Sequence, residues 1–150
     1  MAYTSLLYHI VIRPKYSKNV ITEEYETELY KYIWGFAKAK DCRLYRINGM
    51  ADHIHMLVEI NPSLSISDFV RMLKISTSNF LKKNNEKFPY FEGWGKSYCA
   101  LSYNRKDKEM VLSYIKGQKE HHTKLGFRDE LKALLVENGI PVDEAYYLRD

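Results

Sequence analysis

The spacing of apolar residues constrains the fold of this chain most, because its period changes along the sequence. A period of two, typical of strands, occurs in segments 3–13, 44–48, 52–60 and 96–104. A helical period occurs in segments 23–40 and 65–82, with Thr22 and Ser65 as the predicted N-caps. The resulting order β-α-β-β-α-β predicts an α+β fold, a ferredoxin-like split βαβ sheet with its helices on one face.

Two further helices are predicted after the last strand. The first begins near Asp107 and carries one stripe, which consists of Met110, Val111, Tyr114, Ile115 and Gln118. Gly126 separates it from a short helix over 127–137. We expect the main domain to span 1–125 and the helical tail, 126–150, to belong to that same domain. The sheet face opposite the first two helices is expected to stay open for a ligand or for a later part of the chain.

Composition narrows the class of protein without identifying it. Apolar residues make up 45% of the 150 residues and charged residues 28%, which favours one folded domain over a disordered chain. The net charge of +4 favours a polyanionic partner only weakly. The two cysteines lack zinc-site spacing, and no apolar run approaches the roughly 18 residues of a membrane span. We therefore expect a cytoplasmic protein with no membrane contact.

The predicted strand at 52–60 carries two histidines on its less apolar side. Alternation places Ile54, Met56 and Val58 on one face, and His53 and His55 on the other. Two imidazoles one strand repeat apart can share one cation. The plainer interpretation is a pair of half-exposed strand histidines, because an H-x-H pattern alone is weak evidence.

Tyr114 and Gln118 form the second candidate constellation. They are four residues apart on a predicted helix, so the phenol and the amide reach the same place. Phosphoryl transfer through a tyrosine needs a positioned phenolic oxygen and a cation near the phosphate. The alternative is that Tyr114 is an ordinary core aromatic residue.

Basic residues surround this helix and follow the first strand. The candidates for DNA-backbone contacts are Arg13, Lys15, Lys18, Arg105, Lys106, Lys108, Lys116, Lys119, His121, His122 and Lys124. For any single lysine, a solvated helix face balanced by Asp107, Glu109 and Glu120 is an equally good interpretation.

Three segments together resemble the tyrosine transposases of the HUH superfamily, of the TnpA type, including REP-associated tyrosine transposases. These segments are 8–11 (YHIV), 51–58 (ADHIHMLV) and 114–122 (YIKGQKEHH), and the resemblance extends in order over about residues 3–125. The joint occurrence of H-hydrophobic-H and Y-x-x-x-Q is much more specific than either motif alone.

The resemblance implies a DNA transposase of mobile elements. His53, His55 and Gln118 would bind Mg²⁺ or Mn²⁺, and Tyr114 would be the nucleophile that forms a 5′-phosphotyrosine intermediate on single-stranded DNA. It also implies recognition of DNA hairpins and a homodimer whose active site is assembled within or between subunits. Two imidazoles favour Mn²⁺ or a softer ion over Mg²⁺, which prefers oxygen ligands.

Two other classes of function compete with this interpretation. One is a non-catalytic single-stranded nucleic-acid-binding module that stacks bases on its sheet, which would place aromatic residues where His53 and His55 stand. The other is a metal-dependent phosphodiesterase with water as its nucleophile, which would not need Tyr114.

Overall fold

A four-stranded antiparallel sheet forms the centre of the protein. The computed structural model describes residues 2–121, 125–143 and 148. The strands are β1 (Leu7–Ile12), β2 (Arg43–Met50), β3 (His53–Glu59) and β4 (Cys99–Tyr103). Their spatial order is β2-β3-β1-β4, and each neighbouring pair is antiparallel. This arrangement confirms the predicted α+β sheet.

Five α-helices surround the sheet in the described part of the chain. They are α1 (Glu26–Ala39), α2 (Ile66–Lys83), α3 (Lys108–Lys116), α4 (Gln118–His121) and α5 (Phe127–Glu137). The single long helix expected after Asp107 is interrupted at Gly117, which separates α3 from α4. Within the part of the chain that the structure describes, no helix is long and apolar enough to cross a bilayer.

The predicted start of α2 is correct, and that of α1 is not. The Ser65 hydroxyl accepts a hydrogen bond from the Asp68 backbone N–H at 3.1 Å, so it caps the helix. Thr22 instead points its hydroxyl at the Lys87 carbonyl, 3.4 Å away, and residues 22–25 form a turn before α1 begins at Glu26. The early start was predicted because helical spacing already includes Tyr25.

One face of the sheet, called the apolar face below, is covered by α1 and α2. Its strands contribute a continuous set of aliphatic side chains, namely Ile10, Ile12, Ile54, Met56 and Val58. Leu29 and Ile33 of α1 and Phe69 and Leu73 of α2 pack against them, all fully buried. Alternation along β1 and β3 therefore gives the main hydrophobic core.

The opposite face, called the site face below, is covered by the C-terminal helices. Val111 and Ile115 of α3 pack on Leu7 and Leu57, which lie near one end of the sheet. Toward the other end, α5 covers a second apolar cluster, which consists of Val11, Cys99, Leu101, Phe127, Leu131 and Leu134. Later parts of the chain therefore cover this face, which is the second of the two expected uses of it.

Candidate active site

Two strand histidines form the floor of the candidate site. His53 and His55 project from β3 onto the site face and are 0% exposed. The Nδ1 atom of His53 lies 2.7 Å from Asp52 Oδ1, and Nδ1 of His55 lies 2.8 Å from Nε2 of His9 on the neighbouring strand β1. Each imidazole thus has its Nδ1 atom within hydrogen-bond distance of another side chain, which orients the ring, as is usual for metal-binding histidines.

The Nε2 edges of both imidazoles meet one carboxylate. Oε1 of Glu130 lies 3.2 Å from His55 Nε2 and 3.4 Å from His53 Nε2. Gln118 Oε1 lies 3.1 Å from His53 Nε2. The structure therefore brings together the two histidines and the glutamine that were predicted to share a site, and it adds an acidic residue from α5.

Tyr114 reaches the same carboxylate from α3. Its hydroxyl donates to Oε2 of Glu130 at 2.5 Å, and Gln118 Nε2 donates to that oxygen at 2.9 Å. The Tyr114 ring lies edge-on to His9 and His55, with centroid distances of 5.8 and 5.7 Å. The phenol therefore lies beside the imidazoles and does not point into the aliphatic core.

Glu130 was not predicted from the sequence, although the sequence carries a signal for it. Phe127, Leu131 and Leu134 form the buried stripe of α5, and Glu130 occupies a position on that same stripe. A charged side chain on a buried helix face needs a polar partner, so the position of Glu130 indicates a buried polar cluster. His9 of β1 also belongs to the cluster, because it contacts His55 directly.

The chemistry of the cluster fits a divalent cation. His53, His55 and Glu130 each offer one ligand atom, and these atoms lie within 4.8 Å of one another. Two imidazole nitrogens and one carboxylate oxygen suit a first-row divalent ion such as Mn²⁺. The amide oxygen of Gln118 is next to them and supplies a further oxygen donor.

Burial and hydrogen bonding polarise the cluster. Burial disfavours a charged Glu130, but its hydrogen bonds with His53 and His55 outweigh burial and lower its pKa below the usual range. Burial, together with the hydrogen bond to this carboxylate, raises the pKa of Tyr114. The pKa of His9 falls to about 3, first through burial and then through the proximity of His55. Tyr114 is thus held as a neutral phenol beside an anionic carboxylate.

The pKa of His53 is raised, whereas that of His9 is lowered. Burial opposes protonation of His53, but hydrogen bonds with Asp52 and Glu130 outweigh it and raise the pKa. The negative charge of the site is therefore concentrated on Asp52 and Glu130, which lie on opposite edges of the His53 ring.

Several predicted DNA-contacting residues have other contacts in the structure. Arg13 is 3% exposed and donates to the Ser97 hydroxyl, which is unlike a surface phosphate contact. The Lys119 ammonium donates to Glu26, Asn48 and the Gly49 carbonyl. Arg105 forms an ion pair with Glu59.

The other basic candidates are distributed over the surface or lie outside the described part of the chain. Lys18, Lys106, Lys116 and His121 are exposed, and Lys15 and Lys108 are half-buried. His122 and Lys124 lie outside the described residues.

Comparison with known proteins gives one consistent group of relatives. The family model "Transposase IS200 like" matches residues 2–118. The chain is 33% identical over 117 residues to the transposase for insertion sequence element IS200 of Salmonella typhimurium, covering 75% of this chain and 76% of that protein. It is 27% identical to the ISDra2 transposase TnpA of Deinococcus radiodurans, covering 75% and 84% respectively.

Two solved structures have a similar fold. A crystal structure of a candidate transposase from Deinococcus radiodurans R1 gives a TM-score of 0.62 at 26% identity, covering 78% of this chain and 93% of that one. A REP-associated tyrosine transposase bound to a REP hairpin gives a TM-score of 0.61 at 12% identity, covering 83% and 73% respectively. At 12% identity the second comparison supports the fold alone.

Proposed function

The chain belongs to the family of IS200-like transposases, and we propose that it cleaves and rejoins single-stranded DNA through a covalent bond to Tyr114. One observation carries the proposal. The Tyr114 hydroxyl and both histidine Nε2 atoms converge on the Glu130 carboxylate, so a nucleophile and a candidate cation site share one buried cluster.

The proposed chemistry is a transesterification at phosphorus. The Tyr114 oxygen attacks the scissile phosphate and gives up its phenolic proton to solvent, while the bond from phosphorus to the 3′ oxygen breaks and that oxygen takes up a proton from solvent. The products are a 5′-phosphotyrosine and a free 3′-hydroxyl. Because one phosphoester bond replaces another, the 3′-hydroxyl of the same or another strand can reverse the reaction without ATP.

His53, His55 and Glu130 would hold the divalent ion, with Gln118 beside them. Such an ion, Mn²⁺ or Mg²⁺, neutralises charge that develops on the phosphate. Asp52 and His9 orient the two imidazoles from behind. Phe127, which stacks on His53 at a centroid distance of 4.1 Å, shields that ring from water.

Tyr114 must first leave its present hydrogen bond. Its hydroxyl is committed to Glu130 at 2.5 Å, and a phenolate beside that carboxylate is disfavoured. We therefore expect a change at the Glu130 contact before attack, since Glu130 can bind an ion only if one of its present partners yields.

The substrate that we propose is single-stranded DNA next to a hairpin, like the hairpin bound by the REP-associated relative. We also propose a homodimer, as the family resemblance implies. Within one chain, Tyr114 already contacts the cluster of its own His53 and His55, which favours a site assembled within the subunit.

The deciding experiment uses a labelled single-stranded hairpin oligonucleotide with Mn²⁺, followed by a denaturing gel. A protein-DNA adduct is expected, and it should vanish in Tyr114→Phe and in His53→Ala. Tyr103→Phe is the matched control, because Tyr103 is another partly buried tyrosine on the site face. Cleavage without an adduct would identify a hydrolase, and binding without cleavage would identify a non-catalytic module.

A mixing experiment tests how the active site is assembled. Tyr114→Phe and His53→Ala proteins are mixed, refolded together and supplied with the same hairpin oligonucleotide. A site within one subunit predicts no recovery of adduct, since every chain lacks one component. Recovery would show that the tyrosine and the histidines come from different subunits.

A further inference from the structure

A short loop after β1 holds an exposed tyrosine in a strained backbone. Tyr16 has φ 60° and Ser17 has φ 53°, so two successive residues with side chains occupy the left-handed region. Such conformations reduce stability in residues other than glycine, and they concentrate at sites that bind ligands. The Tyr16 side chain is 56% exposed, so burial of the ring does not account for the strain.

The loop is anchored on both sides. The Lys15 N–H donates to the Gly93 carbonyl at 2.9 Å, and Pro14 pairs with Trp94. On the exit side, the N–H groups of Val20 and Ile21 donate to the Ala51 carbonyl at 2.9 and 3.0 Å. These contacts fix the Tyr16 conformation within a rigid frame.

The same anchors place the loop at the histidine end of the sheet. Ile12, the last residue of β1, pairs with Ile54, so the chain leaves the sheet directly beside His53. Ala51, which accepts the exit hydrogen bonds, precedes His53 by two positions. The loop therefore lies at the same end of the sheet as His53.

Two lysine ammonium groups lie near the Tyr16 ring, and the next residue carries a buried hydroxyl. The Lys15 and Lys18 ammonium groups lie 5.4 and 5.9 Å from the Tyr16 centroid. Lys18 also forms an ion pair with Glu92 that is exposed to solvent. The Ser17 hydroxyl oxygen is buried and has no hydrogen-bond partner among the residues that the structure describes.

A groove continues from this loop. It has a volume of about 470 Å³ and is lined by Lys18, Asn19, Val20, Pro89, Tyr90 and Glu92. Tyr90 is itself 69% exposed, so a second aromatic ring is accessible beside Lys18. Exposed aromatic rings between lysines are the combination that binds unpaired nucleotides, since bases stack on the rings and phosphates contact the cations.

We propose that loop 14–18 is a subsite for single-stranded DNA, in which Tyr16 stacks on an unpaired base and Lys15 and Lys18 contact the neighbouring phosphates. The inference rests on the proposed function for the identity of the ligand, the strand that leaves the histidine cluster. An unpaired base is required, because the faces of paired bases in a duplex are covered by their neighbours.

The test measures binding of a fluorescent oligothymidylate to the full chain by anisotropy. Tyr16→Ala should weaken binding about tenfold, which corresponds to about 1.4 kcal/mol for one stacked base. Tyr16→Trp should retain binding, because it preserves a stacking surface. Tyr3→Ala is the matched control, since Tyr3 is 94% exposed and precedes the opposite end of β1.

Tyr16→Gly separates binding from folding. Glycine tolerates a positive φ, so this variant should melt at a higher temperature than wild type while losing as much affinity as Tyr16→Ala. Wild-type affinity in Tyr16→Gly would overturn the proposal. So would equal, Tyr16-dependent binding of an oligouridylate of the same length, because the subsite would then not be one for DNA.

The two lysines are tested by salt dependence. The plot of log affinity against log salt should flatten by about 0.7 for each phosphate contact removed in Lys15→Ala and Lys18→Ala. Lys31→Ala with Lys38→Ala, on α1, is a control for net charge and should leave the slope closer to wild type. Equal flattening in both pairs would overturn the role of the loop lysines.

These outcomes are independent of the adduct assay. If Tyr16 variants bind normally while wild type still forms the Tyr114 adduct, the subsite is wrong and the transposase chemistry stands. If Tyr16 variants lose binding while no adduct ever forms, the subsite stands and the proposed chemistry is wrong.

Discussion

The two faces of the sheet are built by the same strands but filled by different chemistry. On the apolar face, Ile54 and Met56 of β3 meet Phe69 and Leu73 of α2 in a core of aliphatic and aromatic side chains. On the site face, His55 of the same strand meets Glu130 through a hydrogen bond of 3.2 Å. One residue along β3 therefore separates a purely hydrophobic contact from a buried polar one.

The two faces divide stability and function between them. Burial of hydrocarbon stabilises the apolar face without depending on any ligand. Each buried polar group of the site face needs a partner, and a cation can replace Glu130 as the partner of His53 or His55. We therefore expect the apolar face to determine the stability of the fold, and the site face to respond to metal.

The largest effect is expected from a cavity in the apolar face. Phe69→Ala should lower the free energy of unfolding by about 3–5 kcal/mol, because Phe69 is fully buried. Phe127→Ala, on the site face, should cost less, about 2 kcal/mol. The reason is that α5 lies at the periphery of the fold and can shift to fill part of the cavity. Urea unfolding of both variants measures the difference, and an equal or larger loss for Phe127→Ala would contradict it.

Much of the apolar face could be predicted from the sequence, and much of the site face could not. Period-two alternation identifies Ile54 and Met56 as inward, because every residue of a strand faces one of two sides. The same alternation placed His53 and His55 together on the other side. The position of Glu130 on the buried stripe of α5 indicates that it needs a polar partner, but the identity of that partner depends on how α5 docks, which is a long-range packing event.

Local breaks in regular structure were also beyond the sequence pattern. Tyr114 and Gln118 have helical spacing, yet the helix is interrupted between them at Gly117. Both side chains still reach Glu130, so the predicted proximity did not require the predicted continuous helix. Arg13 follows a strand like a surface residue, but the loop at 95–97 covers it.

The second effect concerns metal on the site face. Mn²⁺ at about 100 times its dissociation constant should raise the free energy of unfolding of the wild type by about 2.7 kcal/mol. Glu130→Gln should lose most of this gain, because an amide is a weaker ligand than a carboxylate. Thermal melts with Mn²⁺ and with a chelator measure both, and Glu109→Gln, an exposed residue of α3, is the matched control. A full response to Mn²⁺ in Glu130→Gln would show that the Glu130 carboxylate is not a metal ligand.

A smaller effect is expected where a lysine connects the two sides of the sheet. Lys119 of α4 donates at 3.0 Å to Glu26, the first residue of α1, and also to the Gly49 carbonyl in β2. Lys119→Met should cost about 1.5 kcal/mol in urea unfolding, since hydrogen bonds to charged groups contribute at this level. Lys116→Met, at an exposed position, should cost little, and equal losses would show that charge alone matters.

The smallest effect comes from the cap of α2. Ser65→Ala removes the acceptor for the Asp68 N–H and should cost about 1 kcal/mol in urea unfolding. Because α2 packs on the apolar face, the Mn²⁺ response and the rate of adduct formation per folded molecule should not change. A loss of either in proportion to the stability lost would mean that the two faces are coupled through the sheet. The proposed division would then fail even with every contact at Glu130 intact.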